Sequence, residues 1–423
     1  MTLARLACLV SFFFLVSPGS AHGHTLTVDC LGQADFANIQ GAVDAASAGD
    51  TVSILPCTYD ETVTIGDKRI VLVGAGRQTT IISSSGSDPT LQCGNQGLTL
   101  KGMTILKEPP EKLALTWQDG DLNIEDSSVQ GKAVGGINFG AIRAKNCSMR
   151  DLDVKGGQRR SITVDSRFSS VTISGIFLEA ENELSSLRCQ FNSLSFGNLA
   201  GAVSFQDSIG TVFLNGNADM YNHLEATNST IGELRAVGWA PLLLEGCRVG
   251  LLSYAIYDIP GLSMKHCIVS DSCIVRNPYV PVPTSPKLGT SVEAGYVIEH
   301  NTFLGPLIIS QPASAFATFP NSVQNNIFAG PASITSPFKN FLLYANCFST
   351  TYHFNLADPS LPYENLFADP QFCASPLDLR LKSTSPCLGT ANDGGNIGAL
   401  GRGCGPVDVR PATWGKLKAL FHN

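Results

Sequence analysis

The stretch Leu242–Val269, LLLEGCRVGLLSYAIYDIPGLSMKHCIV, contains one eight-residue phrase twice, as LLLEGCRV from Leu242 and as LSMKHCIV from Leu262. The phrase reads apolar-x-apolar-x-turn, then Asn, Ser or Cys, then x-apolar. Upstream it occurs as LTLKGMTI (Leu98), LNIEDSSV (Leu122), IRAKNCSM (Ile142), ITVDSRFS (Ile162), LSSLRCQF (Leu184), VSFQDSIG (Val203) and LEATNSTI (Leu224). Downstream it continues as YVIEHNTF (Tyr296), NSVQNNIF (Asn321) and FLLYANCF (Phe341), so the period is about 20 residues. One strand and turn cannot bury its own apolar face, and copies at this period must stack coil upon coil. The expected fold is all-β, a single-stranded parallel β-helix.

In a strand, residues i and i+2 share a face. The first and third positions of the phrase are apolar in every copy except for Asn321 and Ser186, so these positions face inward. The sixth position runs Met103, Ser127, Cys147, Arg167, Cys189, Ser208, Ser229, Cys247, Cys267, Asn301, Asn326, Asn346. It predicts an inward column in which amides or thiols satisfy one another across coils about 4.8 Å apart. Phe303, Phe328 and Phe348 at the eighth position predict an internal aromatic stack. The outward fourth position reads Lys101, Glu125, Lys145, Asp165 and later Glu245, Lys265, Glu299. Opposite charges on adjacent strands favour the register, so these carboxylates read as exposed ladder partners rather than catalytic groups.

At 423 residues, with 43% hydrophobic and 15% charged, the chain can bury a long core as one elongated domain. A net charge of −7 and a pI near 5.5 leave no basic footprint for nucleic acid. Residues 1–21 carry one Arg, the apolar run LACLVSFFFLV and a small-residue site at Gly19-Ser20-Ala21, the pattern of a signal peptide, and no other segment could span a bilayer. The expected organisation is a β-helix over 22–405, with an N-terminal cap at 35–48, followed by a tail at 406–423. Setting Cys8 aside leaves twelve cysteines in an exported chain. Cys30 and Cys57 flank the N-terminal cap, and Cys347, Cys373, Cys387 and Cys404 crowd the other end. These six are the disulfide candidates, with pairing left open. No CxxC or HxxxH spacing supports a metal, and no cofactor is expected.

The segment DFANIQGAVDAASAGDTVSILPCTYDETVTIGDKRIVLVGAG (35–76) resembles the opening of pectin-lyase-like right-handed β-helix proteins. In those proteins a helix, here carrying Ile39, Val43 and Ala46, plugs the open end of the solenoid. A Gly-Asp-Thr-Val strand and Pro-x-x-Tyr then begin the first coils, although Pro56 is followed here by Cys57 rather than the more usual Gly. DPQFCASPLDLRLKSTSPCLGTANDGGNIGALG (369–401) resembles the close of bacterial secreted β-helix proteins. The resemblance implies fold and right-handedness, in line with the rule for parallel crossovers. It implies no single chemistry, because the fold hosts lyases, hydrolases, esterases and non-catalytic surface proteins. The acidic motifs of polygalacturonases and pectate lyases are absent. Gly210–Ala218 is similar to a pectinesterase segment but lacks its nucleophilic aspartate.

Three departures from the period enlarge loops at 106–121, 276–295 and 310–320, and loops on a rigid scaffold are where function concentrates. Counting from each coil's first residue, Trp239 and Tyr257 share an offset of fifteen, with Tyr279 nearby on a Pro-rich arm. Exposed, they would form an aromatic platform for sugar rings; internal, a core stack. Asp219 and Asp258 share an offset of sixteen two coils apart, about 9–10 Å, near the upper end of the spacing of an inverting glycosidase. In the tail, Thr413 is a plausible N-cap, and Trp414, Leu417, Leu420 and Phe421 fall on one face of a short helix that could cap the last coil or dock elsewhere. The expected function is that of a secreted or cell-surface protein that interacts with a polysaccharide or surface glycan without catalysis. The alternatives are a polysaccharide lyase or glycoside hydrolase using Asp219 and Asp258, and a structural envelope or adhesive element.

Overall fold

The computed structural model describes residues 23–136, 142–155, 160–174, 182–197, 201–215, 222–238, 242–256, 261–276, 296–310, 321–336, 341–357 and 364–404. For those within 154–208 and 214–224, and for 136, 238 and 256, it describes the backbone alone.

The solenoid begins under a helical lid. Helix α1 (Ile39–Ala45) follows Asn38, whose side-chain oxygen accepts from Gly41 N at 2.7 Å. Ile39, Ala42 and Val43, at the i, i+3, i+4 spacing of one helical face, are fully buried. The Glu61 carboxylate accepts from Ile39 N and Gln40 N at 2.8 and 3.0 Å. Lys68 Nζ donates to the carbonyls of Val43, Asp44 and Ala46 at 2.9–3.0 Å. Each charge therefore sits at the helix end whose unpaired backbone groups and dipole it complements. A disulfide between Cys30 and Cys57 ties the first coils together.

Beyond the lid the chain is a parallel β-solenoid. In one coil the strands Leu98–Lys101, Thr104–Lys107 and Leu113–Trp117 follow one another around the axis. Each pairs in parallel with its counterpart one coil on: Leu98 with Leu122, Thr104 with Ser128, Leu115 with Ala133. The first-strand register then runs Leu122↔Ile142↔Ile162↔Leu184↔Val203↔Leu224↔Leu242↔Leu262↔Tyr296. Alternation decides the core: Leu98, Leu122, Ile142, Leu242, Leu262 and Tyr296 are buried, as are Leu100, Ile124, Ala144, Leu244, Met264 and Ile298 two residues on. Each large aliphatic side chain so removed from water stabilises by about 1.5–3 kcal/mol. Asn321, the polar exception in the first column, is also buried, and its side-chain oxygen accepts from Tyr296 N at 3.1 Å.

The turn after the first strand is made by a residue in the left-handed region. Gly102, Asp126, Asn146, Asn228, Gly246, His266, His300, Asn325 and Ala345 all have φ between 50 and 63° at the fifth position. This corner turns the sixth residue inward. Asn301 Nδ2 donates to Asn326 Oδ1, Asn326 Nδ2 to Asn346 Oδ1, and Asn346 Nδ2 to Asn365 Oδ1, each at 3.0 Å. Higher in the column, the thiols of Cys147, Cys247 and Cys267 donate to the carbonyls of Ile124, Ala226 and Leu244 one coil back at 3.2–3.4 Å. Phe303, Phe328 and Phe348 stack with centroids 5.1 and 4.7 Å apart.

Two members of the expected sixth-position column are out of place. Arg167 pairs with Ser148 and Gln190, and Ser208 with Gln190 and Thr230, all partners at the seventh position. The turns of these two coils are one residue shorter, and the ladder absorbs the difference as register shifts at Val164/Arg167 and Leu187/Gln190.

After the last coil, Phe372–Ala374 and Asp378–Leu381 form an antiparallel pair, with Cys373 bonded to Cys404. Cys387, Ala391 and Ile397 pack with Ile327, Cys347 and Leu381 in a second small core.

Candidate functional site

In the first strands that begin at Leu98, Leu122 and Ile142, the inward first and third residues leave the second and fourth facing solvent. On three successive coils these are Thr99 and Lys101, Asn123 and Glu125, Arg143 and Lys145, which border a shallow groove with Leu100, Ile124 and Ala144. Glu125 sits between two lysines, with Lys101 Nζ at 3.1 Å and Lys145 Nζ at 3.4 Å. The Lys101 hydrogen bond and charge, then those of Lys145, hold its carboxyl below the usual carboxylate range. Arg143 Nη1 reaches Asp121 Oδ2 and Asn123 Oδ1, both at 3.4 Å. Lysine and arginine alternate with carboxylates and amides here because opposite groups on neighbouring rungs favour this register over a slipped one. Exposed pairs of this kind contribute only about 0–1 kcal/mol each, so they can exchange partners with a ligand at little loss.

The backbone register carries the same row further. Arg143 pairs with Thr163, Thr163 with Ser185, Ser185 with Ser204 and Ser204 with Glu225. From Thr99 to Glu225 seven second-position residues, all polar, stand in register, and at about 4.8 Å per rung they extend about 29 Å along the solenoid. Lower on the same face Lys265 pairs with Glu299 at 3.3 Å, and Gln324 Nε2 donates to Glu299 Oε1 at 2.5 Å.

A second polar cluster lies at the corner of the coils. His266 and His300 stack with centroids 5.1 Å apart. His300 Nε2 lies 3.0 Å from Asp393 Oδ2 and 3.2 Å from Asn325 Nδ2, while Nδ1 faces Asn396 O at 3.1 Å. Asn325 and Asn392 exchange two hydrogen bonds, and Asn392 Nδ2 donates to Gln324 Oε1 at 2.9 Å. The backbone N–H of Gly395 foremost, with burial opposing, holds the Asp393 carboxyl below its ordinary value, and His300 adds to the effect. These contacts clasp Asn392, Asp393 and Asn396 across two successive coils. The sequence signal was present in the two histidines at consecutive corners, but their partners lie as much as 96 residues away.

The aromatic trio Trp239, Tyr257 and Tyr279 and the pair Asp219 and Asp258 all lie outside the described residues. Of the six cysteines expected near the ends, Cys30 is bonded to Cys57 and Cys373 to Cys404, while Cys347 and Cys387 are buried thiols. The hydrogen bond between these two thiols, with burial, holds that of Cys347 protonated. Among the described residues, no three His, Cys, Asp or Glu side chains converge as a metal site would need, and no helix is long and apolar enough to cross a membrane.

No known family matches the chain, and no curated protein does. Among solved structures it is similar to pectin methylesterase from carrot, at 14% identity and a TM-score of 0.25 over 62% of this chain and 85% of that one. The parallel strand pairing itself defines the fold.

Proposed function

We propose that the protein is an exported interaction protein that holds an extended polysaccharide along its polar ladder without cleaving it. The observation that carries this reading is the in-register row from Thr99 through Asn123 and Arg143 to Glu225, flanked by Lys101, Glu125 and Lys145. A rigid track of hydroxyl, amide, guanidinium and carboxylate groups at one-rung spacing offers repeated hydrogen bonds to a polymer whose own polar groups repeat. Arg143, Lys101 and Lys145 favour a chain bearing carboxylates or sulfates. Acid catalysis needs a carboxyl that keeps its proton near neutral pH. Among the described residues, the carboxyl groups whose values depart clearly from the ordinary one all lie below it, at Asp35, Asp50, Glu125, Asp378 and Asp393. The test is a screen of the purified chain against neutral, uronate-containing and sulfated polysaccharides, with retention and release of shortened products scored separately. Retention on an anionic polymer without product supports the proposal. Product formation abolished by Asp219→Asn or Asp258→Asn would replace it with a glycoside hydrolase or polysaccharide lyase.

A further inference from the structure

The charged side chains of the track are ordered by sign. At the fourth position Lys101 pairs with Glu125 and Glu125 with Lys145, and the backbone register places Asp165 next. Positive charge therefore returns on every second rung, about 9.6 Å apart at the backbone. The carboxylate between the two lysines is the least accessible of the three, its side chain 35% exposed against 48% for Lys101 and 73% for Lys145. Oε2 of Glu125 faces the Lys101 ammonium at 3.1 Å, and Oε1 faces that of Lys145 at 3.4 Å. Held below the ordinary carboxylate range by Lys101 and then Lys145, Glu125 keeps its charge through neutral pH. Lower on the same face the order is reversed, with Lys265 between Glu245 and Glu299.

Both orders serve the strand register equally, since each puts opposite charges on neighbouring rungs. Toward a polyanion they differ. An extended polysaccharide advances by roughly one rung per sugar, so its charges fall on the rungs with the period of its own repeat. With an acidic group on every sugar, one anion faces a lysine and the next faces Glu125. With an acidic group on every second sugar, the anions face Lys101 and Lys145, and the neutral sugar between them passes over Glu125. Asn123, beside Glu125 on that rung, offers this sugar an uncharged amide. Like charges brought together across an interface are the repulsive element from which specificity is built. Resting on the reading of this face as a polysaccharide track, we infer that Glu125 makes it selective for polymers whose carboxylates or sulfates recur on alternate sugars, against homopolymers charged on every sugar. The reversed order at Glu245, Lys265 and Glu299 sets a carboxylate on either side of a single cation and confines the polymer to the stretch above.

Two polyuronates of matched length test the selectivity at one fixed salt concentration: polygalacturonate, acidic on every sugar, and hyaluronan, acidic on every second sugar. Each is titrated by calorimetry into the unmodified chain and into Glu125→Gln. The unmodified chain should bind hyaluronan several-fold more tightly than polygalacturonate. Glu125→Gln should tighten polygalacturonate several-fold more than hyaluronan and bring the two affinities together. The comparison on the unmodified chain stands whatever the stability of the variant. An equal or tighter hold on polygalacturonate by the unmodified chain would overturn the selectivity, as would a preference that Glu125→Gln leaves unaltered; either result leaves the track in place. Binding of neither polymer to the unmodified chain would remove the track and the selectivity together.

Discussion

The side-chain amide of Asn326 donates to Oδ1 of Asn346, one coil below, at 3.0 Å, and the same oxygen accepts from Asn326 N. Each amide in this ladder thereby satisfies a backbone group as well as its neighbour, with no water needed. Asn326→Leu strands the backbone N–H of Asn301, which now donates to Asn326 Oδ1 at 2.9 Å, and takes one acceptor from Asn301 Nδ2. The expected loss is about 2–4 kcal/mol by denaturant unfolding, with a smaller loss for Asn365→Leu at the half-buried end of the ladder.

The register itself can be tested on one face. Leu244 is buried, whereas the Lys265 side chain is half exposed. Leu244→Asp places an unpaired charge in the stacked core and should cost several kcal/mol, while Lys265→Ala should cost under about 1 kcal/mol. Thermal melts of the two variants check this, and equal losses would contradict the assignment of inward and outward positions.

Buried thiols should resist reagents until the chain unfolds. Burial pushes Cys93 up to about 11 and Cys273 up to about 12, so neither forms an appreciable thiolate at neutral pH. Alkylation of the native protein should spare both. Alkylation in denaturant without reductant should label Cys93, Cys273, Cys347 and Cys387 but not Cys30, Cys57, Cys373 or Cys404, as read by peptide mass mapping.

Acid should weaken the C-terminal hairpin only at low pH. The Arg380 guanidinium, with hydrogen bonds of 2.8 and 2.7 Å, holds the Asp378 carboxyl down at about 2. A folded-state value below the unfolded value of about 3.9 means stabilisation that is complete above that pH and is lost as pH falls through about 2. The melting-temperature gap between the unmodified chain and Asp378→Asn should therefore hold at pH 5 and close as pH drops from about 4 towards 2.

The period-2 alternation at Leu242, Leu244 and Leu262 made the solenoid legible from sequence, because burial dictates side-chain type wherever a strand has one inward face. Arg167 and Ser208 were misplaced because a turn can lose one residue without disturbing the apolar pattern on either side. The clasp at His300 was illegible for another reason: Asp393 and Asn396 meet it only after the chain has folded back across the coils. Cysteine pairing was likewise set by geometry, since Cys373 and Cys404 end with Cα atoms 5.3 Å apart while Cys347 and Cys387 enter the small core as thiols. Of the candidate site, the charge ladder at Lys101, Glu125 and Lys145 was visible but read only as a device for register, because sequence showed neither the groove nor its length.

The proposed function rests on the Thr99–Glu225 stretch of this ladder, above Lys265, as the surface that binds the polymer. It can be tested by calorimetric titration of the anionic polysaccharide retained in the screen into the unmodified chain, Arg143→Ala/Lys145→Ala, and Lys265→Ala. Affinity should be at least tenfold weaker for the double variant, or about 1.4 kcal/mol, from the loss of two charge-assisted contacts, with Lys265→Ala unchanged and all three proteins melting within a few degrees of one another. Unaltered affinity in Arg143→Ala/Lys145→Ala would contradict it and move the binding surface away from the Thr99–Glu225 track.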